Sequence, residues 1–365
     1  MTSESRRVGL AVLLLAAACH GSVEQVPLAD DRVTPRDRWL DVVTFDGRDV
    51  LVVGDRGKVL RSEDGGERWA RIEVPTDRAL TRIAFASPER GWIVGQDGVI
   101  LATADGGRTW KPQQSGTPSH LFAVAALDGE VVYACGDRST WLETRDGGAT
   151  WHGRAVPLSD VGLDPEIALA VEEPIYYDLD FIDEANGWMV GDYGNIRRTR
   201  DGGQTWESQH GSLLGQRMAN ARRPLRDALD LPALFRVAVR DGGHGIAVGV
   251  GGTVLTTTDG GASWTIEPPK VEPPLETPLL EIAFAGDATF VFGGSGTAFA
   301  AGKGGWRAVD LRLPLLTWIA AADFARAGDL AGKRGFAVGG RGLLMRTDDA
   351  GVTWRPLAAA PGRPG

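Results

Sequence analysis

The sequence predicts an all-β fold, a seven-bladed β-propeller of four-stranded blades. Three observations predict it. The octad SEDGGERW (62–69) recurs as TADGGRTW (103–110), TRDGGATW (144–151), TRDGGQTW (199–206), TTDGGASW (257–264) and TDDAGVTW (347–354). A shortened seventh copy, GKGGW (302–306), has lost its aspartate. The seven tryptophans closing these copies fall 41, 41, 55, 58, 42 and 48 positions apart, a period of blade size. Upstream of the octads runs a second repeat, seen in GWIVGQDGVIL (91–101), GWMVGDYGNI (187–196), GIAVGVGGTVL (245–255) and GFAVGGRGLL (335–344). It reads as two short strands about a two-residue turn. One further apolar run precedes it in each unit, such as TRIAF (81–85) or YDLDF (177–181). Each unit thus has strands A, B and C, the octad turn, then strand D.

The chain opens on an address. Arg6 and Arg7 precede an apolar run of about 11 residues ending in Ala16, Ala17 and Ala18, so residues 1–18 read as a secretory signal peptide. That run is too short for a bilayer core of roughly 30 Å. Cys19 directly follows the small residues, as in a lipobox, and residues 19–36 read as a tether from that lipidated cysteine. Cleavage after Ala18 to release a free periplasmic protein is the other reading. The stretch EQVPL (24–28) fits either the tether or an addition to the last blade. The propeller is expected over 37–358, with 359–365 a disordered tail. Cys135, within VVYAC (131–135), reads as a buried, inert thiol.

Chemistry explains the octad position by position. An aspartate at a turn accepts backbone N–H bonds, glycines supply positive φ, a Ser or Thr hydroxyl ties local backbone, and tryptophan opens strand D as a wedge. Asp64, Asp105, Asp146, Asp201, Asp259 and Asp349 are therefore expected to be structural. The 50 glycines and the ratio of 12 Trp to 4 Tyr follow from the same repeat.

Strand alternation puts every B–C turn and every D-to-A connection on one face and the octads on the other. Ligands of propellers sit over the axis on the first face, by analogy between folds. The B–C turns offer Asp55, Arg56, Gln96, Asp97, Asp137, Arg138, Asp192, Tyr193 and Arg341 as candidate partner-binding residues, with Val250 and Ser295 completing the ring. Two swollen D-to-A connections flank the fourth blade. Residues 158–174 are acidic without Lys or Arg, and 212–234 carry Arg217, Arg222, Arg223 and Arg226, a cluster suited to a carboxylate or acidic peptide.

A net charge of −9 argues against a general nucleic-acid binder. The five histidines show no metal-ligand spacing, and no motif points to a cofactor.

The octads resemble the Asp-box, or bacterial neuraminidase repeat. Together with the Gly-Trp-x-Val-Gly hairpins at 91–95 and 187–191, they resemble the photosystem II assembly and stability factor family over roughly 37–358. The resemblance implies a seven-bladed, non-catalytic scaffold for assembly or stabilisation of a membrane protein; the chain is expected to be exported and monomeric and to bind a protein partner at a membrane. Asp-boxes also occur in sialidases and glycoside hydrolases, so the alternative is a glycosidase or carbohydrate-binding propeller. Its candidate carboxylates are Glu172, Glu173, Asp178 and Asp192, and Tyr176, Tyr177 and Tyr193 are the tyrosines placed to face the channel. Asp178 and Asp180 otherwise read as plain strand alternation.

Overall fold

The computed structural model describes residues 33–156, 173–209, 231–240, 243–271, 274–302, 305–314 and 317–357. These residues form seven separate four-stranded antiparallel sheets, each built from strands consecutive in sequence. In blade 1, strand A is Trp39–Thr44, B is Val50–Gly54, C is Val59–Ser62 and D is Ala70–Ile72. The remaining A strands are Leu80–Phe85, Leu121–Ala126, Tyr176–Phe181, Leu234–Val239, Leu279–Ala285 and Ile319–Phe324. Each packs against the A strand of the next blade, and that of blade 7 packs against that of blade 1, which closes the ring with the A strands innermost.

The core is not central. It is split into seven wedges, one at each interface between blades. Trp110 of blade 2, for example, packs among Val43, Leu51 and Val53 of blade 1. A single twisted sheet would leave both faces wet, so burial of these residues requires the neighbours. Ring closure uses the same device. Trp39, Val42 and Val52 pack against Phe336, Val338 and Leu344, with Leu357 at the edge. Thr44 N–H also donates to Asp323 Oδ2 at 2.9 Å, and Arg326 N–H to the Phe45 carbonyl at 2.8 Å.

The octads share one hydrogen-bond pattern. In blade 2, Asp105 Oδ1 accepts from Thr109 N–H at 2.9 Å and from Thr103 Oγ1 at 2.8 Å, while Oδ2 accepts from Thr109 Oγ1 at 2.6 Å. Thr103 Oγ1 in turn accepts from Gly107 N–H at 3.0 Å. The second glycine also touches the blade before it. Gly107 has φ +80°, and a Cβ there would lie 2.3 Å from Leu51 Cδ2. In blade 6, at the shortened copy, the pairing of strands C and D ends with Gly302 opposite Gly305.

One expectation is corrected. The B–C turn has three residues, not two. Asp55–Gly57, Gln96–Gly98 and Asp192–Gly194 each form a 3₁₀ turn whose middle residue sits in the left-handed region, Arg56, Asp97 and Tyr193 all at φ +58°. The first residue's N–H donates to the carbonyl preceding the same blade's A strand, as from Asp55 to Arg38 at 3.1 Å, and this tie sets the turn length. Cys135 is fully buried and its thiol pKa is pushed well up by burial.

Candidate functional site

Each A strand begins at the face carrying the B–C turns and bulges at its second residue, for instance between Trp39 and Asp41 and between Leu80 and Arg82. The bulge brings two successive residues of every blade to the axis. The second residues include Leu40, Phe122, Tyr177, Phe235 and Leu280. With Trp318 they line a bowl of about 320 Å³ at the B–C face. Tyr177 lies between two phenylalanines, 5.6 Å from Phe122 and 5.1 Å from Phe235, ring centroid to centroid. Burial pushes its hydroxyl up to about 12, helped by Asp192, to which it is hydrogen-bonded.

The third residues form the floor. They are Asp41, Arg82, Ala123, Asp178, Arg236, Glu281 and Ala321 in blade order, three acids and two arginines among two alanines. Arg82 reaches across the axis. Its guanidinium lies 3.1 Å from Glu281, 3.3 Å from Asp178 and 3.6 Å from Asp41, which belong to three other blades. Arg236 Nε donates to Glu281 Oε2 at 3.1 Å. Backbone donors hold the carboxylates from the side, Ile83 N–H to Asp41 at 2.8 Å and Val237 N–H to Asp178 at 3.1 Å. Burial pushes Asp41 up to about 6 in spite of Arg82 and raises Asp178 as well. Burial also works against the charge of Arg82, but Asp41, Asp178 and Glu281 outweigh it and raise its pKa.

Below the plug, on the octad face, opens a vestibule of about 710 Å³. Asp180 and Asp323 line it. Burial raises both, Asp180 to about 6. Asp180 accepts Val239 N–H at 2.7 Å, and Asp323 accepts Arg326 Nη2 at 3.0 Å.

The turn residues stand outside the bowl. Asp55 pairs with Arg38 at 3.7 Å, Arg56 with Asp37 at 3.7 Å and Asp97 with Arg78 at 2.9 Å. Gln96 Oε1 accepts Ala79 N–H at 3.5 Å. Asp137 is half-buried, and Arg138 and Arg341 project into solvent from left-handed turns. Asp192 accepts Ile175 N–H at 3.1 Å and, through Tyr177, is the ring member tied to the bowl, with Tyr193 half-buried beside it. Arg217, Arg222, Arg223, Arg226, Glu172 and Cys19 lie outside the described residues, as do residues 24–28 and most of both swollen connections.

Two readings of single residues need correction. Tyr176 does not face the channel. It is buried between blades 3 and 4, donating to the Val156 carbonyl at 2.8 Å, because the bulge follows it rather than precedes it. Asp178 is not an idle position of strand alternation but part of the plug. Alignment of the repeats carried the signal. A charged residue recurs third in five of the seven A strands, where apolar residues otherwise prevail. Among the described residues, no group of three or more His, Cys, Asp or Glu is placed to hold a metal ion.

Fold and axis together define a seven-bladed Asp-box propeller whose central passage is stopped by ion pairs. Residues 67–160 and 165–223 match the family described as photosynthesis system II assembly factor YCF48, and the chain resembles that family in its repeats and its architecture. The solved structure of YCF48 bound to a D1 peptide is similar at 18% identity and a TM-score of 0.62, over 86% of this chain and 94% of that one. YCF48 from Cyanidioschyzon merolae is similar at 21% identity and a TM-score of 0.60, over 80% and 90%. The GH74 enzyme of Niastella koreensis has a TM-score of 0.62 at 14% identity, over 88% of this chain and 54% of its own. No curated protein matches the sequence.

Proposed function

We propose that this chain is a non-catalytic, exported propeller scaffold that holds a segment of a membrane protein over its B–C face and so aids assembly or stability of a membrane complex. One observation carries the reading. The axis ends in a blind, aromatic bowl rather than a passage, with Phe122, Tyr177 and Phe235 half-buried above a floor whose charges are already paired. Half-exposed aromatics in a concave site are anchors for apolar side chains of a partner. Charged turns around the rim suit the polar flanks of such a segment, and Arg217, Arg222, Arg223 and Arg226 would receive its carboxylates. That a YCF48 structure holds a D1 peptide supports a protein segment as the ligand class. Lipidation of Cys19 would keep the propeller beside its partner at the outer membrane.

The glycosidase alternative is weaker on chemistry. Asp178 is held by Arg82 and by backbone, Asp192 by Ile175 and Tyr177, and Glu173 lies exposed.

Capture from detergent-solubilised membranes tests the proposal. Replacing Phe122 and Phe235 by Ser should reduce capture at least tenfold with the fold intact by circular dichroism, and the four-arginine Ala variant should reduce it further. Capture unchanged in both sets would remove this face from consideration. Turnover of chromogenic glycosides that is lost in Asp192→Asn would replace the proposal with the enzyme reading. Detergent partitioning of the Cys19→Ala variant, against the wild type, decides the anchor.

A further inference from the structure

The shortened seventh octad has a structural consequence that the partner-binding face does not absorb. At three other interfaces the second octad glycine of one blade lies against the B-strand residue three before the preceding blade's closing glycine. A Cβ on Gly107 would meet Leu51 at 2.3 Å, one on Gly261 would meet Trp188 at 2.3 Å and one on Gly351 would meet Phe290 at 2.5 Å. The equivalent residue in blade 5 is Ile246, by its register opposite Ala238, and the octad that would cover it belongs to blade 6. There strands C and D already pair at Gly302 and Gly305, and a Cβ on Gly305, the residue directly before Trp306, would meet nothing within 4 Å.

The same interface also lacks a covering group that three blades carry. Opposite that B-strand residue, strand C carries Arg61, Arg198 and Arg346 in blades 1, 4 and 7. Arg346 lies across its interface, donating to Glu67 in the next blade's octad at 2.9 Å. Blade 5 has Thr256 there. The result is a cleft of about 470 Å³ between blades 5 and 6, open on the octad face and within the range of small-molecule sites.

Its walls are not those of a packing defect. The half-buried Trp306 and Phe284 supply two aromatic surfaces, and Arg240 lies 4.4 Å over the Phe284 ring. Around them stand the hydroxyls of Thr258, Ser263, Thr265 and Thr289 and the Glu267 carboxylate, which accepts from Thr256 Oγ1 at 3.1 Å. One guanidinium and one carboxylate leave the lining without a net charge to select an ion. Hydroxyls that both donate and accept, beside an aromatic face, match a ligand with one apolar surface and a rim of hydroxyl groups.

We infer that the cleft between blades 5 and 6 is a binding site for a neutral saccharide of one or two hexose units, stacked on Trp306 and hydrogen-bonded by Glu267 and the threonines. The site lies on the face opposite the proposed partner, so the two readings fail separately.

Saturation-transfer NMR of the whole mature chain with glucose, galactose, mannose, cellobiose, maltose and lactose tests it. At least one sugar should bind with a Kd in the millimolar range or tighter. Trp306→Ala should weaken that binding at least tenfold. Ile246→Trp, which puts at this position the residue that Trp92 and Trp188 supply in blades 2 and 4, should fill the cleft and do the same. Tyr177→Phe, in the axial bowl, should leave it unchanged. Absence of binding by all six sugars, or binding that survives both cleft variants, would overturn the inference.

Discussion

The octads and the axial residues occupy equivalent positions seven times over, yet they behave oppositely. Six octads keep the same aspartate, leading Ser or Thr and second glycine, and in each that leading hydroxyl donates to the aspartate. The axial positions hold Asp41, Arg82, Ala123, Asp178, Arg236, Glu281 and Ala321, three acids, two arginines and two alanines, with no single residue type serving every blade. The difference lies in what each position touches. An octad contacts its own blade and one neighbour, so the same local solution serves every time. The axial side chains all meet at one place, where seven copies of one charge would repel and seven copies of a large residue would not fit. Repetition builds the ring, and departure from repetition makes the site.

Breaking the axis should have the largest effect. Arg82→Met leaves Asp41, Asp178 and Glu281 facing one another with only Arg236 nearby, and it should cost about 3–5 kcal/mol in urea unfolding at pH 7. Part of that loss should return at pH 5, where Asp41, at about 6, takes up a proton. A loss under about 1 kcal/mol would show that the acids do not depend on the shared cation.

Octad glycines come next. Gly107→Ala combines a left-handed alanine with a clash on Leu51 and should cost about 2–4 kcal/mol. Gly106→Ala, whose Cβ would approach the Pro88 carbonyl at 3.0 Å and the flexible end of Arg108 at 3.6 Å, should cost about 1–2 kcal/mol. Equal costs would separate the octad from its neighbour blade.

The pH response distinguishes the two regions by sign. Asp180 is raised above its ordinary 3.8 to about 6, so the native state holds its proton more tightly than the unfolded chain does. The stabilisation this gives is complete below about pH 4 and is lost as pH rises through about 6. Asp180→Asn should therefore gain on the order of 1 kcal/mol over wild type at pH 7.5 and nothing at pH 4. The octad aspartates run the other way. Burial is outweighed at Asp105 by its bonds to Thr109 and Thr103, which hold it at about 2, and its contribution is present above about pH 4 and lost towards pH 2. Wild-type stability should thus rise from pH 7 towards about 4 and fall below it. A curve that falls steadily from pH 7 to 4 would contradict the assignment.

The smallest change sharpens the octad rule. Ala350 stands at the first glycine position of the last octad with φ +58°. Ala350→Gly should raise stability by about 1 kcal/mol, read from the urea midpoint.

Nearly all of the architecture was legible in the chain, because an Asp-box turn is local chemistry. Asp105, Thr109 and Gly107 lie within five residues of one another and make the same turn wherever they occur. The B–C turns were placed correctly but made one residue too short, since the hydrogen bond from Asp55 to the Arg38 carbonyl joins segments 17 positions apart. The bowl is not legible in the sequence. Phe122, Tyr177 and Phe235 come from three blades, and only the bulge that turns them to the axis makes them one surface.

By itself the sequence determined the number of blades, the order of strands within them and the turns that join them, since each depends on contacts between near neighbours in the chain. Only the tertiary structure decided that Arg82 reaches Asp178 and Glu281, 96 and 199 residues away, and that losing one octad opens a cleft against Ile246. Ring closure brings together residues whose separation along the chain carries no record of their meeting.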